Sequence, residues 1–208
     1  MRTLVPFSAD APKTRLSSLL SAAERIDFSR TLCSSVVETL HTAGFEPTIL
    51  SAAPIADEWL SSAATVVVDS QPLTAAVNTQ LAAGSPTLIL MADVPLATPG
   101  DIHRLVDSPA DVTIAPGLGG GTNALVVREP AFRVDYHGAS YLDHCRIADR
   151  LGASVDTVDS RRLATDIDEP SDLAELFIHG EGAARDWLVD AGFELDDSGG
   201  RVGVRRIG

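Results

Sequence analysis

Short β-branched and aliphatic runs alternate with stretches of helical periodicity along most of this 208-residue chain, and that alternation restricts the fold more than any other feature. The runs at 3–7, 48–50, 65–68 and 87–91 are brief and almost wholly apolar, as strands buried on both faces are. Between the first two, Phe28, Leu32, Val36 and Leu40 recur every fourth residue with Cys33 and Val37 beside them. That is one helical face, ended near Gly44. Helical stretches follow at 55–60, at 73–83, at 101–106 behind Thr98-Pro99, and at 141–151. Two more strands, 111–115 and 123–127, flank a glycine loop. Strands separated by helices predict an α/β fold with a mostly parallel central sheet covered on both faces. Nothing resembling a linker interrupts the pattern, so residues 1–208 are expected to form one domain. Its end, 178–208, is expected to hold a helix at 181–191 and a hairpin pairing 193–195 with 202–204, a segment available for dimer formation.

The charge balance excludes several partners. Twenty-nine acids against sixteen lysines and arginines give a net charge of -13, which rules against a broad phosphate-tracking surface and so against nucleic acid. Any anion site must be local. Lysine is nearly absent: Lys13 is the only one, the other fifteen cations being arginine. Acidity with so little lysine fits a halophilic protein, soluble in brine that screens its self-repulsion. Met1–Phe7 leads directly into Ser8-Ala9-Asp10, too short for a leader core, and no apolar run is long enough to span a bilayer. Cys33 and Cys145 are isolated, with no disulfide density, so a cytoplasmic location is expected.

In parallel sheets ligands bind at the carboxyl ends of strands, which directs attention to four loops. The first holds Pro12-Lys13-Thr14-Arg15-Leu16, a compact ammonium beside a guanidinium just after the first strand, suited to gripping phosphate. The second is Met91-Ala92-Asp93-Val94-Pro95, where a carboxylate ends an apolar strand and is costly to bury unless it holds a metal or hydrogen bonds. The third, Gly117-Leu118-Gly119-Gly120-Gly121-Thr122-Asn123, lets backbone approach a ligand closely or simply makes a pliant hairpin connection. In the fourth, Asp166-Ile167-Asp168-Glu169-Pro170, extended backbone puts Asp166 and Asp168 on one side and Ile167 on the other. Pro170 suits the first turn of a following helix. Two hard oxygen ligands beside Asp93 would make a Mg²⁺ site shared with nucleotide phosphates. His137, His144 and Cys145 match no standard zinc spacing and read as structural, and Ser140 reads as a helix N-cap.

Taken in order and spacing, these segments resemble the 2-phospholactate guanylyltransferases of coenzyme F-420 biosynthesis over about residues 1 to 178. The resemblance implies a three-layer α/β/α Rossmann-like fold of the nucleotide-diphospho-sugar transferase (GT-A-like) kind. It implies transfer of a guanylyl group from GTP to (2S)-2-phospholactate with release of pyrophosphate, assisted by Mg²⁺, usually in a homodimer. By matching position, Lys13 and Arg15 would grip nucleotide phosphates, with Lys13, Arg15 and Asp93 catalytic. Asp93 with Asp166 and Asp168 would hold metal. Leu73 and Thr74 would lie near the nucleotide, and Thr122, Gly138 and Ser140 would contact the small phosphorylated three-carbon acid. His137 stands where relatives commonly carry glycine, and Gln71-Pro72-Leu73-Thr74 lacks the usual Gly and Asn of the base-binding segment. Phosphoenolpyruvate and 3-phosphoglycerate stay open as alternative acceptors, as does a non-catalytic nucleotide-binding module on the same fold.

Overall fold

The structure is a computed structural model that describes residues 1–8, 12–55, 57–60, 64–84 and 86–207. Ala9-Asp10-Ala11 of the first loop, and Ala56 within the helical stretch expected at 55–60, lie outside the described residues. Seven strands form one sheet: β1 (Arg2–Phe7), β2 (Pro47–Ser51), β3 (Thr65–Val68), β4 (Thr87–Leu90), β5 (Val112–Pro116), β6 (Thr122–Val127) and β7 (Val155–Thr157), in the order β3-β2-β1-β4-β6-β5-β7. All neighbours are parallel except β6, which runs antiparallel to both β4 and β5. The glycine loop is therefore a hairpin connection that threads β6 between β4 and β5.

Side chains on alternate strand positions feed two cores, which is why the strands read as continuously apolar. Val5, Leu88 and Leu90 face α1 (Ala22–Thr42) and α3 (Pro99–Asp107), packing with Val36, Leu40, Ile102 and Leu105. Leu4 and Ile89 point the other way, toward α2 (Leu73–Leu81) and α4 (Ser140–Leu151), where Val77 and Ala148 meet them. The expected three layers follow directly. α1 begins well before its first periodic residue because Ser21 caps it: its Oγ accepts from Glu24 N–H, and the Glu24 carboxylate accepts the Ser21 N–H at 2.8 Å.

Four elements differ from the sequence reading. The stretch at 55–60 contributes only a single 3₁₀ turn, Asp57–Trp59, and another 3₁₀ turn, Thr14–Leu16, stands in the first loop. β7 and the one-turn helix α5 (Arg161–Ala164) have no counterpart in the sequence pattern. β7 is an exposed edge strand of Val-Asp-Thr, whose acid blunts further pairing and hides the strand pattern.

A third apolar cluster lies beyond the sheet and fixes the loops that matter for function. Leu16, Leu20, Phe28, Ile167 and Leu173 are all buried there. It is roofed by α6 (Pro170–His179), α7 (Ala183–Asp190) and the expected hairpin, β8 (Phe193–Asp196) with β9 (Gly203–Arg206). Trp187 stacks at 4.7 Å on Phe28 and donates its indole N–H to Asp27. Among the described residues no helix is long and apolar enough to cross a membrane.

Candidate active site

The chain leaves β1 to build β2 and β3 on one side, then returns through α2 to place β4 on the other. That reversal between β1 and β4 is where an open parallel sheet forms its ligand crevice. A cavity of about 480 Å³ lies there, walled by Phe7, Lys13, Leu50, Asp69, Leu73 and Asp93 among others, within the range that holds a nucleotide-sized ligand.

Lys13 is at its mouth. The residue is left-handed (φ 55°, ψ 42°), the only non-glycine residue with positive φ among those described, and its side chain is only 8% exposed. The Nζ atom lies 2.6 Å from Asp93 Oδ2 and 3.8 Å from Asp168 Oδ1. Arg15, 65% exposed, places Nη1 2.6 Å from Asp168 Oδ2. These contacts join loops that follow β1, β4 and α5. Backbone holds them in register, since the Ile167 N–H donates to the Asp93 carbonyl at 2.9 Å. Leu16 and Ile167, buried in the third cluster, anchor the charged residues on either side of them. The Asp172 carboxylate accepts the N–H groups of Asp168 and Glu169 at the start of α6.

Asp166 behaves differently from its two partners in the expected metal trio. Asn123 Nδ2 donates to its Oδ1 at 3.1 Å and to the Leu163 carbonyl at 2.9 Å. Burial, with the charge of Asp93 nearby, raises its pKa above the usual aspartate value. Among the described residues no three His, Cys, Asp or Glu side chains gather into a metal-binding group; Lys13 draws Asp93 and Asp168 together, and Asp166 lies near enough for its charge to interact with those of Asp93 and Lys13. The pair still suits Mg²⁺. Both carboxylates converge on one point charge and stay partly exposed, and Mg²⁺ commonly takes one or two carboxylates and fills its shell with phosphate and water.

A second constellation is neutral and buried. Thr122, at the start of β6, and Ser140, at the start of α4, are each 4% exposed, and their hydroxyls lie 3.3 Å apart. Ser140 is not the helix cap expected of it: Ala139 holds that position, and the Ser140 hydroxyl goes to Thr122 instead. Gly138, two residues earlier, turns the chain with φ 45°. Of the residues expected near the nucleotide, Leu73 lines the cavity. Thr74 does not join it: its hydroxyl accepts the Tyr136 N–H, and it borders a separate groove with Arg133 and Arg150. Asn123, which orders Asp166, and Asp69, which reaches the cavity, have no role in the sequence reading. A polar residue at a strand end is their only signal, Asp69 just after β3 and Asn123 second in β6.

Two cations set against convergent carboxylates at the switch point of such a sheet suit a nucleotidyltransferase. A solved chain from Desulfovibrio desulfuricans G20, described as a nucleotide-diphospho-sugar transferase, shares this fold with a TM-score of 0.76 over 91% of this chain and 95% of its own, at 15% identity. The family model described as "Guanylyl transferase CofC like" matches residues 1–207, and the chain belongs to that family. It is 53% identical to the 2-phospho-L-lactate guanylyltransferase of Haloarcula marismortui across 100% of both chains. It is 42% identical to that of Methanocorpusculum labreanum over 99% of this chain and 96% of the relative.

Proposed function

We propose that this enzyme transfers the guanylyl group of GTP to (2S)-2-phospholactate, giving (2S)-lactyl-2-diphospho-5′-guanosine and pyrophosphate, within coenzyme F-420 biosynthesis. The observation that carries the proposal is the Lys13 ammonium seated between Asp93 and Asp168 at the mouth of the cavity. The name of the haloarchaeal relative, matched over the full length of both chains, supports this acceptor.

The chemistry asks little of the protein beyond positioning and charge. An acceptor phosphate is already ionised near neutral pH, so no side chain need remove its proton. Lys13, with Arg15 at the rim, neutralises charge that develops on the phosphates as the bond to the leaving pyrophosphate lengthens. Lys13 is held nearly buried by the turn, so little reorganisation is needed when that charge appears. Asp93 and Asp168 would hold Mg²⁺, whose contribution when bound is further neutralisation of phosphate oxygens. Asp69, which lines the cavity and accepts hydrogen bonds from Gln71, offers a carboxylate with lone pairs left for the N–H groups on the pairing edge of guanine. Thr122 and Ser140 would receive the three-carbon acid, with Gly138 giving its backbone room.

A cytoplasmic location agrees with two free cysteines, Cys33 and Cys145. Halophily agrees with the charge of -13 and is tested by salt: unfolding in dilute buffer with recovery in molar salt is expected, and indifference to salt would count against it. A homodimer is part of the same reading, checked by light scattering.

The deciding experiment incubates the enzyme with Mg²⁺, GTP and each candidate acid in turn and weighs the products. Phospholactate-dependent pyrophosphate release with the guanylylated product is expected. Product only with phosphoenolpyruvate or 3-phosphoglycerate would replace the acceptor, and GTP binding without turnover would remove the catalytic reading.

A further inference from the structure

We propose that His144 is a positioning residue for the acceptor acid: its ring sets the Thr122–Ser140 hydroxyl pair to donate one proton outward, selecting a ligand group that only accepts hydrogen bonds. The inference rests on the reading above, which assigns that pair to the acceptor.

The argument begins with a backbone amide. His144 is fully buried in α4, and its Nε2 lies 3.0 Å from the N atom of Asp135. An amide N–H only donates, so Nε2 carries the lone pair and the proton of the neutral ring sits on Nδ1. Nδ1 is 2.9 Å from Thr122 Oγ1, hence the ring donates to Thr122. Packing holds the ring in place: Tyr136 meets it edge-on at 5.2 Å and 86°, and Phe132 lies 6.0 Å away. Burial also keeps it neutral, with its pKa lowered to about 4.

Counting protons gives the consequence. The two hydroxyls have two protons, and the bond between them uses one. Because the ring supplies its own proton to Thr122, the remaining hydroxyl proton is free for a ligand. With the opposite tautomer, Thr122 would donate to the ring and Ser140 to Thr122, leaving none. A carboxylate or phosphate oxygen accepts only, so His144 turns an indifferent pair into one matched to an anionic small acid. The wall is continuous with the glycine loop, where the Tyr141 N–H donates to the Gly120 carbonyl at 3.2 Å.

Two substitutions separate this role from mere support. In His144→Asn the amide nitrogen reaches the place of Nδ1 and can still donate to Thr122. In His144→Gln the amide oxygen reaches the place of Nε2 and keeps only the Asp135 contact. His144→Gln is expected to raise the KM for the acid about tenfold or more with the KM for GTP unchanged, while His144→Asn stays within about threefold of the parent. Equal losses in the two variants, or a parallel rise in both KM values, overturn the proposal. An assigned long-range ¹H–¹⁵N spectrum of the unsubstituted protein reads the tautomer without relying on turnover or on variant folding: Nδ1–H is required, and Nε2–H for His144 overturns the proposal. Should the parent enzyme turn over none of the acids, the acceptor reading fails while the tautomer still decides the ring's part.

Discussion

The two corners of the proposed site differ in how they would bind an anion. At the proposed nucleotide corner, Lys13 and Arg15 lie against Asp93 and Asp168, with full charges that, Lys13 apart, are partly open to solvent. At the proposed acceptor corner, Thr122, Ser140 and His144 are neutral and almost wholly enclosed. A triphosphate carries charge that changes as its bond breaks, and formal cations respond to it strongly. A small acid that must be distinguished from near neighbours is better read by fixed donors, because a buried hydroxyl left unpaired is costly. On this reading charge serves turnover at the first corner, and geometry serves choice at the second.

The largest effect should separate these roles. Asp93→Asn is expected to lower kcat by about 10²–10³, as loss of a transition-state electrostatic partner does, with thermal unfolding little changed. Thr122→Val should instead raise the KM for the acid about tenfold and leave the KM for GTP alone. Steady-state kinetics with each substrate varied in turn checks both. If the two variants lose kcat alike, the division between corners is wrong.

How far each corner is legible in the sequence follows from the same contrast. A lone lysine beside an arginine, an aspartate ending an apolar strand and an Asp-Ile-Asp-Glu-Pro run stand out because charge beside a buried element is expensive and must have a reason. The alternation of apolar runs and helical faces likewise predicts the three layers, since burial on both faces leaves an unbroken hydrophobic record. The acceptor corner leaves no such trace. Thr122, Ser140 and His144 are ordinary residue types, and what makes them a unit is the return of α4 against β6, together with the Asp135 amide that sets the ring. The surroundings of Asp166 are hidden for a related reason: strand alternation gives its side, but the amide of Asn123 and its burial depend on a distant hairpin. β7 escapes detection because a three-residue edge strand with a central aspartate has no periodicity to find.

A second test uses protons on the enclosed corner. The folded pKa of His144, lowered to about 4 chiefly by burial, lies below the ordinary histidine value of 6.5. The unfolded chain therefore binds the proton more readily. The stability contributed by the neutral ring is complete above pH 6.5 and is lost as pH falls toward 4, by about 3 kcal/mol in all. Denaturant unfolding of the parent and of His144→Asn, compared from pH 7 to pH 4.5 at constant high salt, should show the parent's advantage shrinking as pH falls. A difference independent of pH would mean that the ring is hydrated or already charged, and the enclosed character of this corner would be lost.

The smallest effect concerns the backbone of the charged corner. Lys13 adopts a left-handed conformation that costs a residue with a Cβ about 1–2 kcal/mol, and it opens a turn in which the Leu16 N–H donates to the Lys13 carbonyl at 2.9 Å. Strain of this kind persists where the surrounding structure enforces it, here through Leu16 buried immediately beyond. Lys13→Ala and Lys13→Gly both remove the ammonium, so both should lose turnover to the same degree. Only glycine relieves the turn. After allowing for its greater freedom in the unfolded chain, Lys13→Gly should be more stable than Lys13→Ala by about 0.5–1 kcal/mol in denaturant titrations. Equal stabilities would show that the turn is relaxed, and that the nucleotide corner relies on charge alone without strained backbone to aim it.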